Sequence, residues 1–286
     1  MFRKPELGDK DLFDRFFKNG HYMGSESCFA NSYAWQDSYN IEFDVIDGFL
    51  CIKGCHNGKG YFLMPYGEGD KRAVIEKLSA MAKRAGQPFV LKQLSKENTL
   101  LLENMFPGRF EFLLNRNASD YIYKTENLIS LSGKKLHAKR NHVNKFKKTY
   151  NYTLWALDSS NYKSALEFAL GRLGEDSDDE KASLIKLYEN FEALNLQGAV
   201  LKVDGEIAAV SLGELLNHDT AVIHVEKANT DFDGAYAAIN QMFAQQSFAD
   251  TLYINREEDM GIEGLRRAKM SYQPEIILEK FDALER

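Results

Sequence analysis

Hydrophobic residues recur along this chain at two spacings, and the second half repeats the order found in the first. In residues 1–130, apolar positions at helix spacing predict helices over residues 9–39, 70–84 and 95–105. Short apolar runs between turn residues predict strands over residues 41–46, 49–53, 61–65, 89–94, 110–114 and 121–124. Asp47-Gly48 joins the first two runs, and this dipeptide between apolar runs strongly predicts a β-hairpin.

Residues 151–286 show the same order of elements. Strands are predicted over residues 152–157, 197–216, 220–225, 251–255 and 275–281, with a hairpin on Asp204-Gly205 inside the second of these. Helices are predicted over residues 162–172, 179–194, 234–248 and 261–269. We therefore expect an α+β or mixed α/β fold built from two copies of one unit, one in residues 1–130 and one in residues 151–286.

A basic segment, residues 131–150, connects the two predicted units. It contains seven lysine or arginine residues and no acidic residue. Leu136, Val143 and Tyr150 recur every seven residues with Phe146 beside them, which predicts an amphipathic helix with one apolar face. Seven like charges repel one another unless an anion neutralises them, so the helix could dock RNA or phospholipid head groups. The alternative is a solvated connector that balances an acidic protein.

Composition places the chain among ordinary globular proteins. It has 286 residues, 44% hydrophobic residues and a formal net charge of −6, so the chain is not built to coat nucleic acid throughout. No apolar run approaches the roughly 18 residues of a membrane span. Three cysteines are too few for a disulfide framework, and the N-terminal residues lack a signal-peptide core, so we expect a cytoplasmic protein.

Two segments imitate metal sites but neither completes one, and we expect no metal site in this chain. Residues 229–234 resemble the front of an EF-hand loop, but the twelfth position is Asn240 where calcium needs a glutamate. Cys51, Cys55 and His56 lack Cys-x-x-Cys spacing and a second ligand pair. The motifs of serine hydrolases, P-loop nucleotidases, nicotinamide dehydrogenases and zinc proteases do not occur.

Candidate chemistry concentrates where strands end in the second half. The strand over residues 251–255 runs directly into a charged tract and a basic helix, and ligands bind at the carboxyl ends of strands in open sheets. His224 and Glu226 alternate on another strand and could form an acid/base pair or a satisfied polar pair. Gly234 opens a helix whose free amides would favour phosphate, with Asp231 or Asp233 as its cap. Asp259 is predicted to cap the last helix.

Three tracts of the sequence together resemble the DUF2156 family, which is related to the C-terminal domain of lysyl-phosphatidylglycerol synthases. The tracts are residues 25–35, the basic segment 133–148, and Asn255-Arg256-Glu257-Glu258-Asp259-Met260-Gly261 with the helix that follows it. The resemblance implies two tandem GNAT-like domains, each a mixed, mostly antiparallel sheet flanked by helices, joined by the basic helix of residues 131–150. It also implies an active cleft in the domain of residues 151–286.

The resemblance implies an aminoacyl- or acyltransferase. The donor would be aminoacyl-tRNA or acyl-CoA, and the acceptor a small molecule, a peptide or a lipid head group with an amine or hydroxyl. Only Gly234 and Ala235 remain of the GNAT pyrophosphate turn, which argues against tight CoA binding. An acyl-CoA-dependent N-acetyltransferase of a small amine and a non-catalytic binding protein on the same fold are the alternatives.

We assign the catalytic base to His224 or Glu226. The residues we expect to bind the donor and its phosphates are Lys139, Arg140, Gly234, Ala235, Tyr236, Asn255, Arg256, Arg267 and Lys269. For Asp259 and Arg256, bracing of the wall is an alternative to ligand binding, because arginine pairs with acids as well as with phosphates.

Overall fold

The computed structural model describes residues 1–18, 20–175 and 177–286, which form thirteen strands and ten α-helices. The strands are β1 (Glu42–Ile46), β2 (Phe49–His56), β3 (Lys59–Leu63), β4 (Val90–Leu94), β5 (Phe110–Leu114), β6 (Asp120–Lys124), β7 (Tyr152–Ala156), β8 (Gln197–Val203), β9 (Glu206–Leu215), β10 (Thr220–Ala228), β11 (Tyr253–Asn255), β12 (Ile276–Leu278) and β13 (Phe281–Glu285). The helices are α1 (Lys10–Phe17), α2 (Phe29–Ala34), α3 (Lys71–Arg84), α4 (Lys96–Met105), α5 (Thr125–Ser130), α6 (His137–Thr149), α7 (Tyr162–Leu170), α8 (Asp178–Glu189), α9 (Ala235–Ser247) and α10 (Glu263–Met270).

The strands form two mixed sheets with the same internal plan. The first has the order β1-β2-β3-β4-β13-β5, and the second the order β7-β8-β9-β10-β11-β6-β12. In each sheet an antiparallel run ends in one parallel pair, β3 with β4 and β10 with β11. A helix precedes the second strand of each parallel pair, α3 before β4 and α9 before β11. This shared plan agrees with the expected fold class of two mixed sheets flanked by helices.

Each sheet contains one strand from the other half of the chain. β6, from the predicted first domain, pairs with β11 and β12 in the second sheet. β13, at the end of the chain, pairs with β4 and β5 in the first sheet. The boundaries predicted at residues 130 and 151 therefore do not separate the two sheets, because the apolar pattern of a strand does not encode which partner it joins.

Two predicted elements differ from the structure for local reasons. Residues 9–39 do not form one helical stretch but the short helices α1 and α2, separated by turns, and Asn19 within this range lies outside the described residues. The predicted closing strand over residues 275–281 is divided into β12 and the start of β13, which belong to different sheets. The polar pair Glu279-Lys280 stands at the crossing between them.

The basic segment of residues 131–150 forms α6, which begins only at His137, and the amphipathic pattern predicted there is confirmed. Leu136, Val143 and Phe146 are buried in the core of the second sheet, where α6 packs against α9. Three lysines of α6, Lys145, Lys147 and Lys148, are exposed, whereas Lys139 is partly buried. Packing of this apolar face fixes the start of α9 beside α6, and this contact shapes one end of the candidate site.

Candidate active site

A cavity of about 1250 Å³ is lined by residues of both halves of the chain. The second half contributes the β10 residues His224 and Glu226, the start of α9, and the tract between β11 and α10. The first half contributes polar and aromatic side chains, namely Glu26, Asn31, Trp35, Tyr39, Tyr61 and Lys92. We expected the cleft within residues 151–286, and the structure corrects this by adding a wall from the first half.

The tract after β11 is held in place by buried hydrogen bonds. Asn255 is fully buried, and its amide nitrogen donates to the carbonyl of Met23 at 2.7 Å and to Asp120 at 2.8 Å. Lys269 on α10 donates to the backbone carbonyls of Arg256 at 2.6 Å, Glu257 at 3.1 Å and Glu258. An ammonium group has three donors, so these bonds use all of them. Asn255 and Lys269 therefore brace the tract, although both were predicted to bind the donor.

The bracing presents the Glu258 carboxyl group to the cavity. Among the described residues, the hydrogen bond that acts on this carboxyl group comes from its own backbone amide, and no other side chain is paired with it. Burial raises its pKa, the Lys280 ammonium group lowers it, and Asp120 and Glu257 raise it, with a net value of about 7. Lys280 itself is 1% exposed and lies 2.8 Å from both Asp120 and Glu26. A carboxyl group that titrates near neutrality in a cavity is suited to proton transfer.

A second group of side chains places positive charge on the cavity wall. Arg256 pairs with Glu226 at 2.8 Å and lies 4.8 Å from the centre of the Tyr272 ring. Lys139 of α6 lies 4.4 Å from the centre of the same ring, and burial followed by the nearby Arg256 lowers its pKa. The buried Nη1 of Arg256 has no hydrogen-bond partner among the described residues. This corner can therefore offer a donor group and a cation to an anionic ligand.

His224 occupies a β-bulge and does not pair with Glu226. Ile223 pairs with Gly213 and Val225 with Leu212, so His224 is the extra residue of β10. Its Nδ1 lies 2.8 Å from Glu257, and its Nε2 lies 3.1 Å from Glu214.

Burial alone would lower the pKa of His224, but hydrogen bonds to Cys28, Glu214 and Glu257 outweigh it and hold that pKa well above its ordinary value. The predicted His224–Glu226 unit is absent from this site because the bulge breaks the strict alternation of the strand. Cys28, Glu214 and His224 also form a cluster with the atom types of a metal site.

Gly234 serves close packing of helices. It begins α9 with a left-handed φ of +85°, and a Cβ there would lie 2.6 Å from the carbonyl oxygen of His142 on α6. Neither Asp231 nor Asp233 caps the helix, and Asp233 instead pairs with Lys145 at 2.6 Å. Gly234, Ala235 and Tyr236 nevertheless line the cavity.

Three further predictions fall outside the cavity or change their role. Asp259 is not the side-chain cap of α10: it is fully buried and accepts two hydrogen bonds from Arg266, both of 2.8 Å. Arg140 donates to the carbonyls of Leu131 and Gly133, and Arg267 is exposed and pairs with Glu263. Arg140 and Arg267 do not line the cavity.

The comparisons with known proteins identify the family of this chain. Residues 17–284 match the family described as Phosphatidylglycerol lysyltransferase, C-terminal. The chain belongs to this family. A protein of unknown function from Bacteroides thetaiotaomicron VPI-5482 is 38% identical, with a TM-score of 0.96 over 100% of this chain and 99% of that one. L-PGS from Bacillus licheniformis is 18% identical, with a TM-score of 0.70 over 99% of this chain and 93% of that one.

Two further proteins are similar to this chain. An uncharacterized Mycoplasmoides gallisepticum protein is 25% identical over 183 residues, which span 59% of this chain and 57% of that protein. A tandem GNAT protein from the clavulanic acid biosynthesis pathway has a TM-score of 0.54 at 7% identity, over 99% of this chain and 98% of that one. The fold is therefore GNAT-like, as expected. Among the helices described, none has the length and apolar content needed to cross a membrane.

Most of the site residues predicted from the sequence lie on the cavity wall. Eight of the eleven residues proposed for the site line the cavity: Lys139, His224, Glu226, Gly234, Ala235, Tyr236, Arg256 and Lys269. Sequence reasoning missed the roles of Glu258 and its buried neighbour Lys280, which lies 22 positions further along the chain. One signal was available, because Lys280 stands with only Glu279 between two apolar strands, and a lysine enclosed in this way is a candidate for a buried ion pair.

Proposed function

We propose that this protein is an aminoacyltransferase that moves an aminoacyl group from aminoacyl-tRNA to an amine or hydroxyl acceptor inside the cavity. Membership in a family described as a lysyltransferase supports the reaction class. The observation in this chain that carries the proposal is Glu258, whose unpaired carboxyl group faces the cavity with a pKa of about 7.

Glu258 is proposed as the general base, in place of His224 or Glu226. The acceptor nitrogen or oxygen attacks the ester carbonyl carbon, and the Glu258 carboxylate takes the proton that the acceptor loses. The bond between the carbonyl carbon and the ribose oxygen of the tRNA then breaks, and the protonated Glu258 returns its proton to that oxygen. His224 and Glu226 are less suited to this step, because both already engage neighbouring side chains.

The charge around the cavity supports an anionic donor. Lys139 and Arg256 stand on its wall, and α6 continues outward with exposed lysines. Phosphate groups of tRNA would neutralise the mutual repulsion of these lysines. Aromatic groups suited to stack unpaired bases also line the cavity: the ring centres of Trp35 and Tyr39 lie 5.8 Å apart, and those of Tyr39 and His56 lie 5.0 Å apart.

The start of α9 argues against acyl-CoA as the donor. GNAT proteins grip pyrophosphate with a glycine-rich turn at a helix start, and this chain keeps only Gly234 and Ala235 of it. The face of Gly234 that lacks a Cβ is occupied by the carbonyl of His142, and a carbonyl oxygen repels phosphate. Asp233 adds a negative charge beside the same helix end.

The test compares donors and one pair of variants. The purified protein is incubated with labelled aminoacyl-tRNA or labelled acyl-CoA, with phosphatidylglycerol vesicles or a small amine as acceptor, and label in the acceptor is measured from pH 5.5 to 9. We expect transfer from aminoacyl-tRNA, with an acidic limb near pH 7 because Glu258 must be ionised. Glu258→Gln should lower the rate by about 10²–10⁴-fold.

Glu263→Gln is the matched control, because Glu263 is an exposed carboxylate on α10 that does not line the cavity. It should keep the rate and the pH profile of the unmodified chain. Full turnover by Glu258→Gln would refute the base assignment. Transfer from acyl-CoA alone would replace the proposed donor, and tight tRNA binding without transfer to any acceptor would favour a non-catalytic binding protein.

A further inference from the structure

Cys28, Glu214 and His224 form a buried cluster that the proposed transfer reaction does not use. One ligand atom from each residue lies within 4.8 Å of the others. Cys28 is 4% exposed and Glu214 is 6% exposed, and the His224 side chain is also buried. The three residues come from the loop before α2, from β9 and from the bulge of β10, so tertiary folding alone brings them together.

We propose that this cluster is a binding site for a divalent transition metal ion of the zinc type. Thiolate, imidazole and carboxylate are the three ligand classes that zinc takes in proteins. In a tetrahedral site with such bonds the ligand atoms lie about 3.3–3.8 Å apart. The separation of Glu214 Oε1 and His224 Nε2, 3.1 Å, is already close to this range.

The surroundings of His224 fit a ligand of this kind. Its Nδ1 lies 2.8 Å from Glu257, and metal-bound histidines usually donate their second ring N–H to a carboxylate or carbonyl. That bond would leave Nε2, on the side of Glu214, to face the metal. The β-bulge explains the position of the ring, since bulges re-aim side chains beside functional sites.

Charge balance also favours a divalent ion. One thiolate and the carboxylates of Glu214 and Glu257 carry three negative charges, and a divalent cation would neutralise two of them, whereas a monovalent cation would neutralise one. Leu216 and Val222 pack with Cys28 and give the cluster an apolar side. His224 also belongs to the cavity wall, so three protein ligands would leave the fourth position to water or to a bound substrate.

Cobalt substitution tests the proposal without reference to catalysis. The untagged full chain is treated with a chelator, dialysed and titrated with Co²⁺, and absorption is recorded together with metal content. We expect about one equivalent of Co²⁺ per chain, visible bands of a four-coordinate ion, and a thiolate-to-cobalt charge-transfer band that Zn²⁺ abolishes. Glu257→Gln should weaken Co²⁺ binding about 10- to 100-fold, since it removes the charge that supports the His224 ring.

Two cysteine variants assign the band. Cys28→Ser should abolish it, whereas Cys51→Ser, which changes a thiol that is equally buried, should preserve it. If Cys28→Ser does not fold, the double variant Cys51→Ser/Cys55→Ser decides, because Cys28 is then the one remaining thiol. Absence of saturable Co²⁺ binding, survival of the band in Cys28→Ser, or its loss in the double variant would overturn the proposal.

Discussion

Replacing Lys280 with methionine should destabilise the protein and alter the titration of the candidate base. Lys280 stands between β12 and β13, where the chain crosses from the second sheet to the first. Its ammonium group is 2.8 Å from Asp120 and 2.8 Å from Glu26, and both carboxylates are largely buried. Methionine fills a similar volume without charge, so the change removes the cation and leaves two acids facing each other.

The buried location sets the size of the effect. Breaking a buried ion pair by removing one partner costs about 3–5 kcal/mol, because the remaining charge is left uncompensated. Ser25 and Asn255 still donate to Asp120 after the change. We therefore expect the loss of unfolding free energy to be about 3 kcal/mol, at the lower end of that range. The Lys77–Asp47 pair is half exposed, and exposed pairs contribute only about 0–1 kcal/mol. Lys77→Met is therefore the matched control.

Urea denaturation followed by circular dichroism measures the free energy of unfolding of each variant. Lys280→Met should lower the free energy of unfolding several times more than Lys77→Met does. The double variant Lys280→Met/Asp120→Asn should recover part of this stability, because it removes one unpaired buried charge. Lys280 also lowers the pKa of Glu258, so Lys280→Met should move the acidic limb of activity to a pH above 7. Equal losses in the two lysine variants would refute the assigned role of the buried pair.

Two further changes test packing and a buried carboxylate. Gly234→Ala should cost about 2–5 kcal/mol in unfolding free energy, because it adds contact with the His142 carbonyl to left-handed strain. Gly205→Ala, at φ +94° in open space, should cost only the strain, about 1–2 kcal/mol, and equal losses would contradict the packing argument.

Asp259→Asn should cost about 2–4 kcal/mol at pH 7. Burial raises the pKa of Asp259, but its hydrogen bonds to Arg266 outweigh burial and lower that pKa in the folded state. The stability difference between Asp259→Asn and wild type should therefore shrink below about pH 4, because the Asp259 carboxylate is protonated there in the unfolded chain and still ionised in the folded one, and a difference independent of pH would contradict this.

Elements with local signals could be predicted from the sequence, and the sheet partners could not. The turns at Asp47-Gly48 and Asp204-Gly205 hold left-handed backbone between antiparallel strands, as the dipeptides indicate. Asp70 caps α3 as predicted, accepting from the amide of Ala73 at 3.0 Å. The exchange of β6 and β13 depends on pairing between residues far apart in the chain, and the period of apolar residues carries no information about it.

In the candidate site too, some features could be predicted from the sequence and others depend on distant contacts. The charged tract after β11 indicated a site because its density of ionisable groups is visible in the sequence. Which of those groups bind and which brace depends on partners that the sequence does not reveal. The ammonium group of Lys269 donates its hydrogen bonds to backbone carbonyls. Glu258 instead has a carboxyl group that no other side chain pairs with, and its pKa depends on Lys280 and Asp120. Roles of this kind follow from tertiary contacts rather than from spacing.

The strand exchange also explains why the cavity can be held between two halves of the chain. Each sheet contains a strand that belongs by sequence to the other half of the chain. Opening either sheet would therefore break hydrogen bonds that hold the two halves of the chain together. Lys280 lies at one of the crossings, between β12 and β13, and pairs with Glu26 on the cavity wall. Catalytic groups need positions fixed within a fraction of an ångström. The exchange of β6 and β13 restricts motion of one half of the chain relative to the other, and so keeps the two walls of the cavity in place.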